Sequence, residues 1–182
     1  MHMEVVMAGF GGQGLMLIGK LLAEASMDEG KEVSWLPSYG PEMRGGTANC
    51  TVVVSDKPVA SPVINTPMSL VAMNRPSLDK FGPQVKPGGL IVINSSLIDV
   101  KTGRDDVREV LVECNKEAQA LGSDKSANMI ALGAYLALTK VCGMDAVVKW
   151  MEHQFEGKDK VIEINRQALK RGFELGSKEA DN

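Results

Sequence analysis

The chain carries little of what most binding and catalytic chemistries require. Aromatic residues are 4% of its 182 positions, too few for a platform on which nucleic-acid bases stack. Its formal charge is −3, so no basic excess marks a nucleic-acid or polyanion binder. The three cysteines, Cys50, Cys114 and Cys142, are widely spaced. With no CxxC pair, a zinc site or iron–sulfur cluster built by this chain alone is not expected. Their odd number and lack of a framework fit a reducing compartment, and they read as small buried hydrophobes. His2 and His153 are too few and too separated for a metal cage. No signal peptide is visible, because Met3–Ala8 runs straight into glycines. The longest apolar stretch, Ala127–Leu138, is broken by Asn128, Gly133 and Tyr135 and is too short to span a bilayer. A cytoplasmic protein without membrane attachment is the expectation. No Ser/His/Asp or Cys/His set and no convincing carboxylate pair stands out, so no catalytic residue is assigned.

What is present is an ordinary globular composition, 44% apolar and 24% charged, at a length that suits one domain. No repeat or linker divides it. Strands are expected at Glu4–Ala8, Glu32–Pro37, Thr47–Ser55, Ser69–Met73, Leu90–Asn94 and Val107–Val112, with helices at Leu15–Met27 and Pro76–Phe81. From Lys125 the pattern turns helical: Ala127–Cys142 apolar nearly all round, then Met144–Phe155 and Val161–Phe173 with one apolar face each. Asn165 falls on the last of these apolar stripes and reads as a satisfied helix–helix hydrogen bond. The tail Ser177–Asn182 is polar and expected to fray. No helix fits between the second and third strands, which predicts an antiparallel pair. The fold expected is α/β: a single three-layer α/β/α domain over 1–182, its sheet mostly parallel but mixed.

Gly9-Phe10-Gly11-Gly12-Gln13-Gly14 follows the first strand and opens a helix, a Rossmann-like turn. Gly9, Gly11 and Gly14 have the G-x-G-x-x-G spacing. Glycines admit positive φ and close backbone approach, and the helix start offers free N–H groups to an anion. A dinucleotide site also wants an acidic residue at the end of the second strand. That strand ends Leu36-Pro37-Ser38-Tyr39, with neither an acid nor an arginine. Three readings stay open: an NAD site, a site for another phosphate-bearing ligand, or a purely structural turn.

The punctuated loop Ser38–Gly46 is the second candidate. Gly40 and Pro41 shape it, Glu42 and Arg44 bring one charge of each sign, and Gly45-Gly46 precede the next strand. If the first two strands are parallel neighbours, this loop stands beside the glycine turn. Otherwise its charges are ordinary solvated ones.

Taken together, these segments resemble a known family. Gly9 to Gly14, then Tyr39-Gly40-Pro41-Glu42-Met43-Arg44-Gly45-Gly46, then Val53-Val54-Ser55-Asp56 with Ser61-Pro62 resemble the gamma subunit of the 2-oxoacid:ferredoxin oxidoreductases. Lys86-Pro87-Gly88-Gly89, Asn94-Ser95-Ser96, Ala127-Asn128-Met129 and Asn165 with Ala168 extend the likeness from about Met3 to Gly176. The resemblance implies a complex that oxidatively decarboxylates a 2-oxoacid with coenzyme A to acyl-CoA, carbon dioxide and reduced ferredoxin. Thiamine diphosphate and iron–sulfur clusters would reside in alpha, beta and ferredoxin-like delta partners, leaving the isolated gamma chain inactive and prone to self-association. Gly9, Gly11, Gly12, Gln13, Gly14, Glu42 and Arg44 would then contact coenzyme A or a partner subunit. The rival reading is a free-standing nucleotide-binding module.

Overall fold

The computed structural model describes residues 1–38 and 47–181. β1 (His2–Phe10) is apolar on both faces, with Val5 and Met7 in one core and Val6 and Ala8 in the other. β4 (Ser69–Ala72) and β5 (Leu90–Asn94) split the same way, Val71 and Val92 against Leu70 and Ile91. Strands covered on both sides must be continuously apolar, and this is what makes them legible. β2 (Glu32–Ser38), β3 (Thr47–Ser55) and β6 (Arg108–Val112) complete a sheet of order β2-β3-β1-β4-β5-β6. β3 is antiparallel to both neighbours and the remaining pairs are parallel. Five of the six strands therefore run the same way and β3 alone is reversed.

The outer layers are unequal. The larger core is closed by α1 (Leu15–Asp28), α3 (Cys114–Ala120), α4 (Ala127–Thr139), α5 (Met144–Gln154) and α6 (Asp159–Ala180). The smaller is closed by α2 (Arg75–Phe81) and the residues after it, with Leu78, Phe81, Val85 and Ile98 buried. The domain is thus α/β in three layers with a mixed sheet. The antiparallel pairing of β2 with β3 is as the sequence led us to expect. β1 and β2 are not neighbours, however: β3 lies between them. The condition that would set the Ser38–Gly46 loop beside the glycine turn through adjacent parallel strands is not met.

α4 is buried along its whole inner length, Ala127 to Ala137. α6 crosses it at backbone distance. A Cβ on Gly172 would overlap the Ile130 carbonyl oxygen and lie 2.8 Å from its carbon. One on Gly133 would sit 2.8 Å from the Phe173 nitrogen, and one on Gly176 2.8 Å from Ala134 Cα. This explains a difference from the sequence reading. Glycine near a helix end usually signals its stop, but here Gly172 and Gly176 are helix interior, and α6 runs on to Ala180, through most of the tail expected to fray. α4 instead stops early, because Lys140 adopts a left-handed conformation (φ 51°) and caps it by donating its N–H to Leu136 O at 2.8 Å. Val141 and Cys142 then turn back into the core. α3 has no counterpart in the sequence reading. It is seven residues long and buries only Cys114 and Ala118, too few positions to show a period.

Asn165 behaves as expected, accepting a hydrogen bond from Ser126 Oγ at 2.9 Å. All three cysteines are free and buried. Burial pushes the Cys50 thiol up to about 12 and Cys142 to about 11, and raises Cys114 as well, so all three stay protonated and act as core residues. No helix among the described residues is long and apolar enough to cross a membrane.

The α4–α6 contact yields a direct prediction. Gly172→Ala should cost about 3 kcal/mol through overpacking against the Ile130 backbone. Urea unfolding should report it as a lowered midpoint at unchanged slope.

Candidate functional site

The chain leaves β1 at Phe10 and makes a tight turn before α1. Gln13 braces that turn from inside. Its N–H donates to Phe10 O at 3.2 Å, its Oε1 accepts from Phe10 N at 2.6 Å, and its Nε2 donates to Met73 O at 3.3 Å. The side chain thus ties the turn to the end of β4. Gly12 and Gly14 take left-handed φ values of 91° and 74°. Gly14 is also crowded: a Cβ there would lie 3.2 Å from Asn128 Cγ and closer still to its amide nitrogen. Asn128 Nδ2 donates to Gly14 O at 3.2 Å, which fastens the turn to the start of α4. Gly11 and Gly12 are exposed.

β2 runs the same way as β1, so Ser38 and the glycine turn lie at the same edge of the sheet. Ser38 is level with Asn49, and Thr47 pairs with Phe10. Ser38 and Thr47, which flank the segment 39–46, thus both lie at the edge that carries the turn. Glu42 and Arg44 lie within it, outside the described residues. Of the expected site residues the structure thus brings together Gly9, Gly11, Gly12, Gln13 and Gly14. The dinucleotide reading loses its geometry here. The strand that should hold the ribose is one strand removed from β1, and it ends in Ser38 rather than an acid.

Beside the turn lies a cleft of 410 Å³, walled by Gly12–Gly14 and Leu17 on one side, by Ser126 and Met129 on another, and by Phe155, Val161 and Ile164 on the third. Lys125, Lys158 and Lys160 line it together with the amides of Asn128 and Asn165. The sequence reading did not place any of these five in the site. Lys125 and Lys158 sit in short connections and Lys160 in the first turn of α6, with no motif, whereas Asn165 signalled itself as a polar position on an apolar stripe and Asn128 belonged to a segment of the family likeness.

The family model of pyruvate ferredoxin/flavodoxin oxidoreductase matches residues 4–175. The chain belongs to that family. Ketoisovalerate oxidoreductase subunit VorA of Methanothermobacter marburgensis is 39% identical over 97% of this chain, though the chain spans only 37% of that protein. 2-Oxoglutarate synthase subunit KorC of Methanocaldococcus jannaschii is 31% identical over 96% of this chain and 94% of its own length. Among solved structures, a keto/oxoacid ferredoxin oxidoreductase gamma subunit from Geobacter sulfurreducens superposes with a TM-score of 0.83 at 31% identity, covering 96% of this chain and 98% of that one. The 2-oxoacids in the relatives' names differ, so membership alone does not select one.

The turn's geometry predicts a ranking of variants. Gly14→Ala combines a left-handed φ with a clash against Asn128 and should cost about 3 kcal/mol, while Gln13→Leu, which removes two side-chain hydrogen bonds, should cost about 1–2 kcal/mol. Thermal unfolding of both variants checks the order.

Proposed function

We propose that the chain serves as the gamma subunit of a complex that oxidatively decarboxylates a 2-oxoacid with coenzyme A, releasing carbon dioxide and passing electrons to ferredoxin. The observation that carries this reading is the end-to-end likeness, in sequence and fold, to a gamma subunit of the same length. In this reading thiamine diphosphate supplies the carbanion chemistry and iron–sulfur clusters carry electrons away singly. The cysteines of this chain do not fit a cluster. They lie in β3, at the start of α3 and after α4, each buried and protonated. The redox work belongs to alpha, beta and delta partners.

What this chain contributes is binding and position. The exposed glycines of the turn and the start of α1 present N–H groups to an anion. We assign the N–H groups of Gly11, Gly12 and Gly14, with Arg44, to a phosphate of coenzyme A or to a partner subunit. The surface also supports assembly. Phe10 and Leu36 are 43% and 42% exposed. Strand alternation puts both on the α2 side of the sheet, where apolar side chains left uncovered suit a subunit contact. A free-standing nucleotide-binding module is not favoured, given the family match and the displaced, acid-free β2.

Charge reversal, Arg44→Glu, tests the assignment in the assembled complex. The KM for coenzyme A should rise by about ten-fold, or the complex should dissociate more readily, as expected when a close charge pair is reversed. Unchanged kinetics and unchanged assembly would remove Arg44 from the site.

A further inference from the structure

We propose that residues 57–67, with the gap beneath them, form a seat for an extended, apolar-bearing segment of a partner subunit, at the end of the sheet opposite the glycine turn. The seat deepens the gamma-subunit reading and rests on it.

Residues 56–68 join β3 to β4 without a helix or strand. Irregular connections of that length are uncommon in compact domains and are commonly functional. Between Pro58 and Thr66 only Val63 has hydrogen-bonded main-chain groups among the described residues. Ser61 Oγ donates to Val63 O and accepts from Val63 N, each at 3.2 Å. The other main-chain groups of 59–66 are open to pairing with an added chain. Pro58, Pro62 and Pro67 fix φ at three points, so less conformational freedom is lost on docking.

The segment stands off the body of the domain. A gap of 740 Å³ separates it from the sheet end, with Met1, His2, Glu4 and Ser55 on one wall and Val59 and Ile64 on the other. Val63 does not line the gap and is 59% exposed, more than any other large hydrophobic side chain among the described residues. The segment is thus apolar toward the gap and apolar toward solvent, the condition of a surface that another chain covers.

Charges around the gap are already matched. Glu4 contacts His2 Nε2 and Lys86 Nζ at 3.0 Å each, and Asp56 pairs with the Met1 amino group and with Lys31. Neither carboxylate is left to hold a cation, and the remaining charge, Lys57, is exposed. Uncovered apolar side chains beside open main-chain groups fit a polypeptide rather than a small ion.

The positions of the chain ends favour a partner subunit as the occupant. VorA of Methanothermobacter marburgensis matches 97% of this chain over only 37% of its own length, so its other part precedes or follows the unit that resembles this one. Here both ends of that unit lie at one end of the sheet. Met1 O accepts from Asp56 N at 3.0 Å, and Arg108, at the start of β6, donates to Glu179 O near the end of α6. β1, β4, β5 and β6 all run in parallel, so the start of β6 lies at the same sheet end as the start of β1. In a VorA-type chain the other part is therefore tethered at the end that carries residues 57–67. A partner made as a separate chain sits there too, and the glycine-turn edge stays open.

Hydrogen–deuterium exchange of this chain, alone and within the purified complex, tests the seat. Amides of 59–66 should exchange freely in the chain alone and at least about ten-fold more slowly in the complex. Val63→Asp should weaken assembly at least about ten-fold, the loss expected at a well-packed interface residue. Val63→Ile, which keeps the surface apolar, should stay within about two-fold of the parent. Val63 is exposed, and circular dichroism of each variant confirms the fold. Assembly unmoved by Val63→Asp overturns the inference, as do amides equally open in chain and complex. Protection present in the chain alone and lost on dilution identifies a second copy as the occupant and likewise overturns it. Recovery of the chain without partners overturns the seat together with the gamma-subunit reading, whereas a complex with an open segment overturns the seat alone.

Discussion

The backbone contact between α4 and α6 is the constraint on which the site depends. Gly133, Gly172 and Gly176 let two helices meet without intervening side chains, which costs intrinsic helix propensity and is recovered in close packing. With the two axes held so close, their starts fall together beside the glycine turn. Asn128 on α4 can then reach Gly14, and Asn165 on α6 can reach Ser126. The turn is thus held from both sides, by Gln13 from within the sheet edge and by Asn128 from the helical layer. A polar cleft with three helix starts around it is a consequence of apolar packing some distance away.

The reversed strand β3 is the second determinant. A parallel β1–α1–β2 unit of the dinucleotide-binding kind would place β2 against β1. Here β3 occupies that position and pushes β2 to the sheet edge. The glycine turn keeps its anion-ready backbone but loses the neighbour that would complete a ribose site. One local motif therefore serves a different end because the strand order around it has changed. Fold-level analogy to nucleotide-binding proteins would mislead here, and the site has to be argued from its own residues.

Much of this was legible in the sequence, for identifiable reasons. β3 and β5 begin and end where the sequence reading put them, because β-branched and apolar runs bounded by Gly, Pro or Asp leave little choice. The glycine turn announced itself by spacing and by its place between a strand and a helix. The extent of α6 was hidden because its glycines are packing residues and not stops. α3 was hidden because it buries two residues. Strand order is not written in local pattern, since β2 alternates in the same way whether its neighbour is β1 or β3. The cleft was hidden for a related reason: Lys125, Lys158 and Lys160 come from segments far from Gly14 in sequence, and only tertiary packing gathers them.

The central claim is that this chain works as one subunit of a 2-oxoacid oxidoreductase complex. Gentle affinity purification of the tagged chain from its native cells tests it most directly, with the visible spectrum recorded and viologen reduction assayed against a panel of 2-oxoacids. The account predicts a brown multisubunit complex whose dye reduction requires both coenzyme A and one of those 2-oxoacids. A colourless, solitary chain, recovered under conditions that keep known iron–sulfur complexes intact, would contradict it.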